Sequence, residues 1–312
     1  MRSARGVALT AVALTAVASP ALLPASASAA SCLRIGVYQD DPARDLPVLT
    51  KAAGPGVGVI STYLTAGTPL NPALVTFANA QRVGLLVNWM PDGGRDGSRQ
   101  PRFRVSAVSA GRYDRSLRTL ATQLRKVRGP VVLRPMPEPN TTWYAWSGTV
   151  NNNTPKGYVK AWNRVRRVVR STGGTRIKLL WSPYARSVPD SGANAIPAYF
   201  PGKTQVDLVG ASAYNFGSRG SLLWTEPAGL FSGAYATIQA LARKPFWISE
   251  TGSGMRGGDK AAWILSLSRL QSTLPRLAGV VYYDVSEPNG DFRLRGKAVG
   301  SAFKALLRRR CR

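Results

Sequence analysis

The sequence predicts an α/β protein built as a closed (β/α)8 barrel of the TIM type, and three observations point there. Eight short apolar runs rich in β-branched and aromatic residues recur along the chain, with helical patterns in the intervals. The only cysteines, Cys32 and Cys311, stand near the two ends, so a bridge between them would make the first and last elements neighbours. A doubly wound open sheet is the competing arrangement, but "GPGVGV" from Gly54 lacks the G-x-G-x-x-G spacing and the strand context of a dinucleotide site.

In chain order, residues 1–30 come first. They carry two arginines, an apolar segment from about Gly6 to Leu23 and the small-residue zone Ala25 to Ala30, the pattern of a cleaved secretory signal peptide. A membrane anchor is the alternative, but Pro20 and Pro24 interrupt the run and no second run of comparable length follows. Ala-Ala-Ser ahead of Cys32 fits a lipid anchor poorly. The remainder, 31–312, suits one domain, since no low-complexity linker, charge block or repeat divides it.

The first strand reads as "LRIGVYQ" from Leu33 and the second as "VGVIST" from Val57. A helix follows in "NPALVTFANAQ", where Asn71 is the cap and Pro72 the first helical residue. "GLLVNWM" from Gly84 is the third strand, "YDRSLRTLATQLRKV" from Tyr113 a helix, and "VVLRPMPE" from Val131 the fourth strand. Thr154-Pro155 opens the helix "TPKGYVKAWNRVRRVVRS". Strands "IKLLWSP" from Ile177 and "VDLVGASAY" from Val206 precede the helix "AGLFSGAYATIQALA" from Ala228. "PFWISET" from Pro245, the helix "GDKAAWILSLSRLQS" from Gly258, the strand "LAGVVYYDV" from Leu277 and the helix "GKAVGSAFKALLRR" from Gly296 complete the set.

Charge and composition narrow the function. Lys and Arg number 42 against 15 Asp and Glu, a net charge of +27, which favours contact with polyanions. The arginines are scattered and no nucleic-acid motif accompanies them, so specific nucleic-acid recognition is not expected. The partners expected instead are a polysaccharide substrate and, through salt-sensitive electrostatics, anionic cell-wall polymers, with the protein a monomer. The chain has no histidine, which excludes a Ser-His-Asp triad, a Cys-His pair and an H-E-x-x-H zinc site. Two cysteines at opposite ends form no zinc cluster, and "DGGRDG" from Asp92 reads as a glycine-rich turn because Gly94 and Phe103 stand where a calcium loop needs ligands. No cofactor or metal is expected.

Carboxylates remain, and of the four glutamates, Glu138, Glu226, Glu250 and Glu287, two end predicted strands. Glu138 ends the fourth and Glu250 the seventh, and strand C-termini are where such barrels gather reacting groups. Two carboxyls there suit glycoside chemistry, one protonating the leaving oxygen while the other attacks the anomeric carbon or activates water. Trp89, Trp143, Tyr144, Trp146, Trp181, Tyr214, Trp224, Tyr282 and Tyr283 lie at or just after strands, and "TTWYAWSG" in the loop after the fourth reads as a wall on which a sugar face packs.

At these residues the sequence resembles glycoside hydrolase family 26, the β-mannanase group of the retaining (β/α)8 clan. The resemblance runs from "RIGVY" through "LRPMPEPNTTWYAW", "LLWSPY" and "VDLVGASAYNFG" to "PFWISETGS". It implies an acid/base at Glu138, a nucleophile at Glu250, a Tyr214 hydroxyl orienting that nucleophile, and Arg134 keeping it ionised. Asn140, Trp143, Trp181 and Tyr283 are implied on the substrate side or in support of it. The family's strand usually ends His-Glu-Met-Asn, whereas Pro137 precedes Glu138 here and offers no side-chain hydrogen bond. A non-catalytic envelope protein that binds carbohydrate through the same aromatic cleft is the alternative. Pro139 after Glu138 predicts extended backbone at the glutamate.

Overall fold

In the computed structural model, which describes residues 32–94, 97–218 and 222–310, eight parallel strands pair in sequence order and close on themselves. They are β1 (Arg34–Tyr38), β2 (Val59–Thr65), β3 (Gly84–Met90), β4 (Val131–Pro135), β5 (Ile177–Trp181), β6 (Leu208–Ser212), β7 (Phe246–Thr251) and β8 (Leu277–Tyr283). β8 returns to β1 over five registered pairs, from Arg34 with Gly279 to Tyr38 with Tyr283. This is the predicted (β/α)8 barrel, with each strand inside one of the eight runs anticipated or within a few residues of it.

The helices depart from strict alternation. They are α1 (Pro42–Ala53), α2 (Pro72–Ala80), α3 (Val105–Ser109), α4 (Asp114–Leu124), α5 (Pro155–Gly173), α6 (Pro227–Leu241), α7 (Lys260–Leu267) and α8 (Lys297–Leu307). α1 was hidden in sequence by Pro42 and Pro47. Pro42 sits in the first turn, where no N–H partner is needed, and Asp41 caps the helix by accepting from Arg44 N. Leu46, Leu49 and Ala53 then face inward. Between β5 and β6 the described chain makes only two short 3-10 turns, Gly192–Asn194 and Ile196–Tyr199, because Pro183, Pro189, Pro197 and Pro201 leave no uninterrupted stretch for an α-helix. The β3 to β4 connection carries two helices instead of one.

The first and last described segments meet. Leu33 N donates to Arg309 O at 2.8 Å, and Leu33 pairs with Arg310 in a parallel bridge below the start of β1. Cys311 lies outside the described residues, as do the whole expected signal peptide and Arg95 and Asp96 of the glycine-rich turn.

Alternating residues fill the barrel. Val59, Leu86, Val132, Leu180, Trp247 and Val281 form its apolar interior, while Leu85, Val87, Leu133, Val209 and Ile248 face the helices. Trp247 is the largest of the interior set and both neighbouring strands make room for it. Gly210 on β6 and Gly279 on β8 are its register partners, and a Cβ on Gly279 would overlap the indole ring while one on Gly210 would overlap the Trp247 carbonyl oxygen. A Gly279→Ala chain is therefore expected to lose about 1 to 3 kcal/mol of stability through overpacking. Urea unfolding followed by tryptophan fluorescence measures this, and a variant as stable as wild type would show that the indole has space to move.

Candidate active site

Above the apolar interior the inward-facing residues turn polar. Asn88 on β3 donates through Nδ2 to Ser61 Oγ on β2 at 3.0 Å and accepts from Arg134 Nη1 on β4 at 3.0 Å. Arg134 Nη2 donates to Ser212 Oγ on β6, also at 3.0 Å. Arg134 is 0 % exposed, so its charge has no access to water and must be balanced by the protein. Two carboxylates do so. Arg134 Nη1 donates to Glu250 Oε2 at 2.7 Å, and Arg134 Nη2 lies 3.6 Å from Glu138 Oε1. Sharing one planar guanidinium keeps those two carboxylate oxygens within roughly 9 Å of each other.

Each carboxylate reaches this place through a break in its strand. On β7, Trp247 and Ser249 point into the barrel, so strict alternation would send Glu250 outward. The register slips there, with Ala211 opposite Ile248 but Ser212 opposite Glu250, and the extra residue turns Glu250 inward as well. On the other side, β4 ends at Pro135, three residues short of Glu138. Met136 and Glu138 both have left-handed backbones, with φ of 49° and 53°. The extended backbone expected at Glu138 ahead of Pro139 is thus corrected: the chain zigzags through two left-handed residues, each before a proline. Such residues cost of order 1 to 3 kcal/mol apiece and persist where the surroundings hold them. Here Glu138 N donates to Ser182 O at 2.9 Å, Trp146 Nε1 to Pro137 O at 2.7 Å, Tyr158 Oη to Met136 O at 3.1 Å and Thr141 Oγ1 to Glu138 O at 2.8 Å.

The two carboxylates are only 4 % and 7 % exposed, yet their surroundings differ. Glu250 accepts from Arg134 and, on Oε1, from the Tyr214 hydroxyl. Glu138 accepts from Ser212 Oγ on Oε1 and from Trp143 Nε1 on Oε2 at 2.8 Å. Burial pushes the Glu138 carboxyl above its ordinary range and the Glu250 charge pushes it further, while Arg134, Ser212 and Trp143 pull it partway back. Burial alone would lower the guanidinium of Arg134, but Glu250 and Glu138 outweigh it and hold the group charged. Burial and the neighbouring Glu250 raise the Tyr214 hydroxyl well above its ordinary value, so it stays a donor.

The carboxylates open on a cleft of ≈ 720 Å³. One wall comes from the loops after β4 and β5 and includes Trp143, Tyr144 and Tyr184. The other comes from β2, the end of β8 and the loops after β6 and β8, and includes Tyr63, Tyr214, Phe216, Tyr283 and Phe292. Trp143 meets Tyr184 edge-on with ring centres 5.2 Å apart. Of the aromatic residues singled out in sequence, Trp143, Tyr144, Tyr214 and Tyr283 line the cleft. Trp89, Trp146, Trp181 and Tyr282 are buried in the core and Trp224 lies elsewhere.

Trp181 and Asn140 therefore take supporting places instead of touching the cleft. Trp181 packs edge-on to Phe200 outside the barrel wall. Asn140 is fully buried and fastens the loop after β5, donating to Tyr184 O at 2.9 Å and accepting from Tyr184 N at 2.8 Å. After β8, Glu287 lines the cleft and accepts from Tyr283 Oη at 2.8 Å, whereas Asp284 is held by Gln39 and Leu294 N, and Asp291 pairs with Arg293. Sequence reasoning missed Asn88 and Ser212, inward residues within strands, and Tyr63, Tyr184, Phe216 and Phe292, which no local pattern marks as cleft residues.

Comparison with known proteins ties this geometry to a family. The sequence pattern of Glycosyl hydrolase family 26 matches residues 107–237, the segment that carries β4, Glu138, Trp143 and Tyr214. Endoglucanase H of Acetivibrio thermocellus is 27 % identical over 166 residues, 52 % of this chain and 18 % of that protein. The mannan endo-1,4-beta-mannosidase of Bacillus subtilis is 30 % identical over 168 residues, 51 % of this chain and 42 % of that one. The aligned regions thus span less than half the length of these curated relatives. In fold, the chain is similar to a GH26 β-mannanase from Bacteroides ovatus (TM-score 0.59, 16 % identity, 88 % of each chain covered). It is also similar to a modular endo-β-1,4-mannanase from Cellulomonas fimi (TM-score 0.64, 16 % identity, 88 % of this chain and 70 % of that one). The chain is thus similar to glycosyl hydrolase family 26 in the sequence of β4 to β6, and it shares the barrel fold of these solved structures along most of its length.

Proposed function

We propose that the protein is a secreted glycoside hydrolase that cleaves a β-linked polysaccharide, β-mannan or a related β-glycan, with retention of configuration. The observation that carries this reading is the unequal sharing of one buried guanidinium by two carboxylates on the floor of an aromatic cleft. One positive charge balances one carboxylate. Glu250, in direct contact with Arg134, is the ionised member, and Glu138, farther off and raised by burial, is the member that keeps a proton.

Glu138 donates its proton to the glycosidic oxygen as a Glu250 oxygen bonds to the anomeric carbon and the C–O bond to the leaving sugar breaks. Glu138, now a carboxylate, takes a proton from water, the water oxygen bonds to the anomeric carbon, and Glu250 departs. Retention is the outcome general to the family, and a separation below roughly 9 Å is compatible with it. Tyr214 steadies Glu250 through its hydroxyl, Ser212 and Trp143 position Glu138, and Trp143, Tyr144 and Tyr283 offer ring faces to the sugars. Pro137 leaves Glu138 without a histidine neighbour, and the donors it has are Ser212 and Trp143.

Mannan, mixed-linkage glucan and xylan form the screen. Glu250→Ala is expected to lower kcat on the cleaved polymer by three orders of magnitude or more, as loss of a nucleophile does. Cleavage unchanged by that substitution would remove Glu250 from the mechanism. The pH profile tests Glu138. The acid must be protonated, so activity falls as pH rises through its pKa, and the upward push on Glu138 moves that alkaline limb up. The Trp143 N–H favours the ionised form, so Trp143→Phe is expected to shift the alkaline limb of kcat/KM to higher pH. A shift to lower pH would contradict the assignment.

Export and a bridge between Cys32 and Cys311 form part of the same proposal, supported by the leader sequence and by the meeting of Leu33 with Arg309 and Arg310. The intact mass of protein from culture medium is expected to lack the first 30 residues, and its cysteines to react with alkylating reagent only after reduction. Two thiols labelled without reductant would rule the bridge out.

A further inference from the structure

The cleft holds two charged side chains that the reaction above does not use, Glu287 and Arg186. Glu287 is engaged by Tyr283 at 2.8 Å. Arg186 is exposed and forms neither an ion pair nor a side-chain hydrogen bond with any described residue. A bare arginine is unremarkable on the outer surface of so basic a protein. Its setting is what distinguishes this one.

The loop after β5 is fastened on both sides of it. Tyr184 N and O both bond to the buried Asn140 side chain, Ala185 N donates to Ser212 O at 2.9 Å, and Asn140 Nδ2 donates to Ser187 Oγ at 3.2 Å. Val188 N donates to Asn140 O at 2.8 Å. Arg186 lines the cleft between Tyr184 and Val188 and is the loop's charged side chain there, and Tyr184 packs on Trp143. The backbone that carries this guanidinium is already fixed, so binding need order only the side chain and more of its interaction energy is available for a ligand.

A neutral glycan filling the cleft would strip water from this cation and leave it unpaired, which costs free energy. A carboxylate there would form a forked, charge-assisted pair. The cation also offsets the repulsion that Glu287, and Glu250 to the extent that Arg134 leaves it unbalanced, exert on an incoming anion. We propose that Arg186 makes this cleft selective for a β-glycan that carries a carboxylate, in the main chain or on a branch, on the Trp143 side of the cleavage point. The inference rests on the glycosidase reading of the same site for turnover but not for binding.

The test compares a uronate-bearing β-glycan with the same polymer after its carboxyls are reduced to primary alcohols. Polymers with main-chain uronate and with uronate branches on a neutral backbone form separate arms. Wild type is expected to favour the acidic form by roughly tenfold or more in kcat/KM in one arm, the scale of a charge-assisted hydrogen bond. Arg186→Ala should bring that ratio close to one, and Arg186→Lys should restore part of it, since lysine lacks the fork. Arg308→Ala, at the end of α8 on the far side of the barrel, removes the same charge and should leave the ratio as in wild type. Affinity electrophoresis of the Glu250→Ala variant, with and without Arg186→Ala, reads the same preference without turnover. A protein that binds the acidic polymer through Arg186 but cleaves nothing would overturn the glycosidase reading and keep this one. A ratio near one in wild type, or a preference that survives Arg186→Ala, would overturn this inference while cleavage stands.

Discussion

A guanidinium cannot stay charged inside a barrel without partners, and the upper half of this structure is arranged around that requirement. Arg134 carries a full charge in a place closed to water, where an unpaired ion costs several kcal/mol. Its partners come from four other elements: Asn88 from β3, Ser212 from β6, Glu250 from β7 and Glu138 from the kink after β4. The same bonds that satisfy the cation fix the positions of both carboxylates. Stability and site geometry therefore rest on a single group.

The asymmetry of the site follows from counting charges. Two glutamates and one arginine cannot all be ionised and balanced in a buried setting. The 2.7 Å contact gives the positive charge to Glu250, and the 3.6 Å separation leaves Glu138 less compensated. The two roles proposed for these carboxyls follow from their unequal distances to one guanidinium. Local irregularity produces those distances. A register slip turns Glu250 inward and a left-handed zigzag through Met136 and Glu138 brings the second carboxyl over the barrel. Backbone strain of this kind is tolerable because each carbonyl and amide freed by the kink finds a partner in Ser182, Trp146, Tyr158 or Thr141.

The cleft is built the same way, from a rigid support beneath a variable surface. Asn140 does not itself line the cleft, yet it holds the loop that carries Tyr184 and Arg186. Trp181 fills the space outside β5 and does not line the cleft. Residues of the kind that a sequence comparison marks as part of a site therefore divide into those that face the cleft and those that hold up the ones that do.

By itself the sequence determined the barrel, its eight strand positions and the candidacy of Glu138 and Glu250. Apolar runs of strand length and the absence of histidine are local or compositional facts, and both survive in the structure unchanged. It also contained α1, but behind two prolines that read as breakers until their places in the helix are known. The tertiary structure alone decided which glutamate contacts Arg134 directly, which aromatics face the cleft, and that Ser212 and Asn88 bond to the same guanidinium. Those outcomes depend on a slipped register, on two left-handed residues and on contacts between strands far apart in sequence. Side-chain direction in a strand follows from counting only while the alternation holds, and at both carboxylates it breaks.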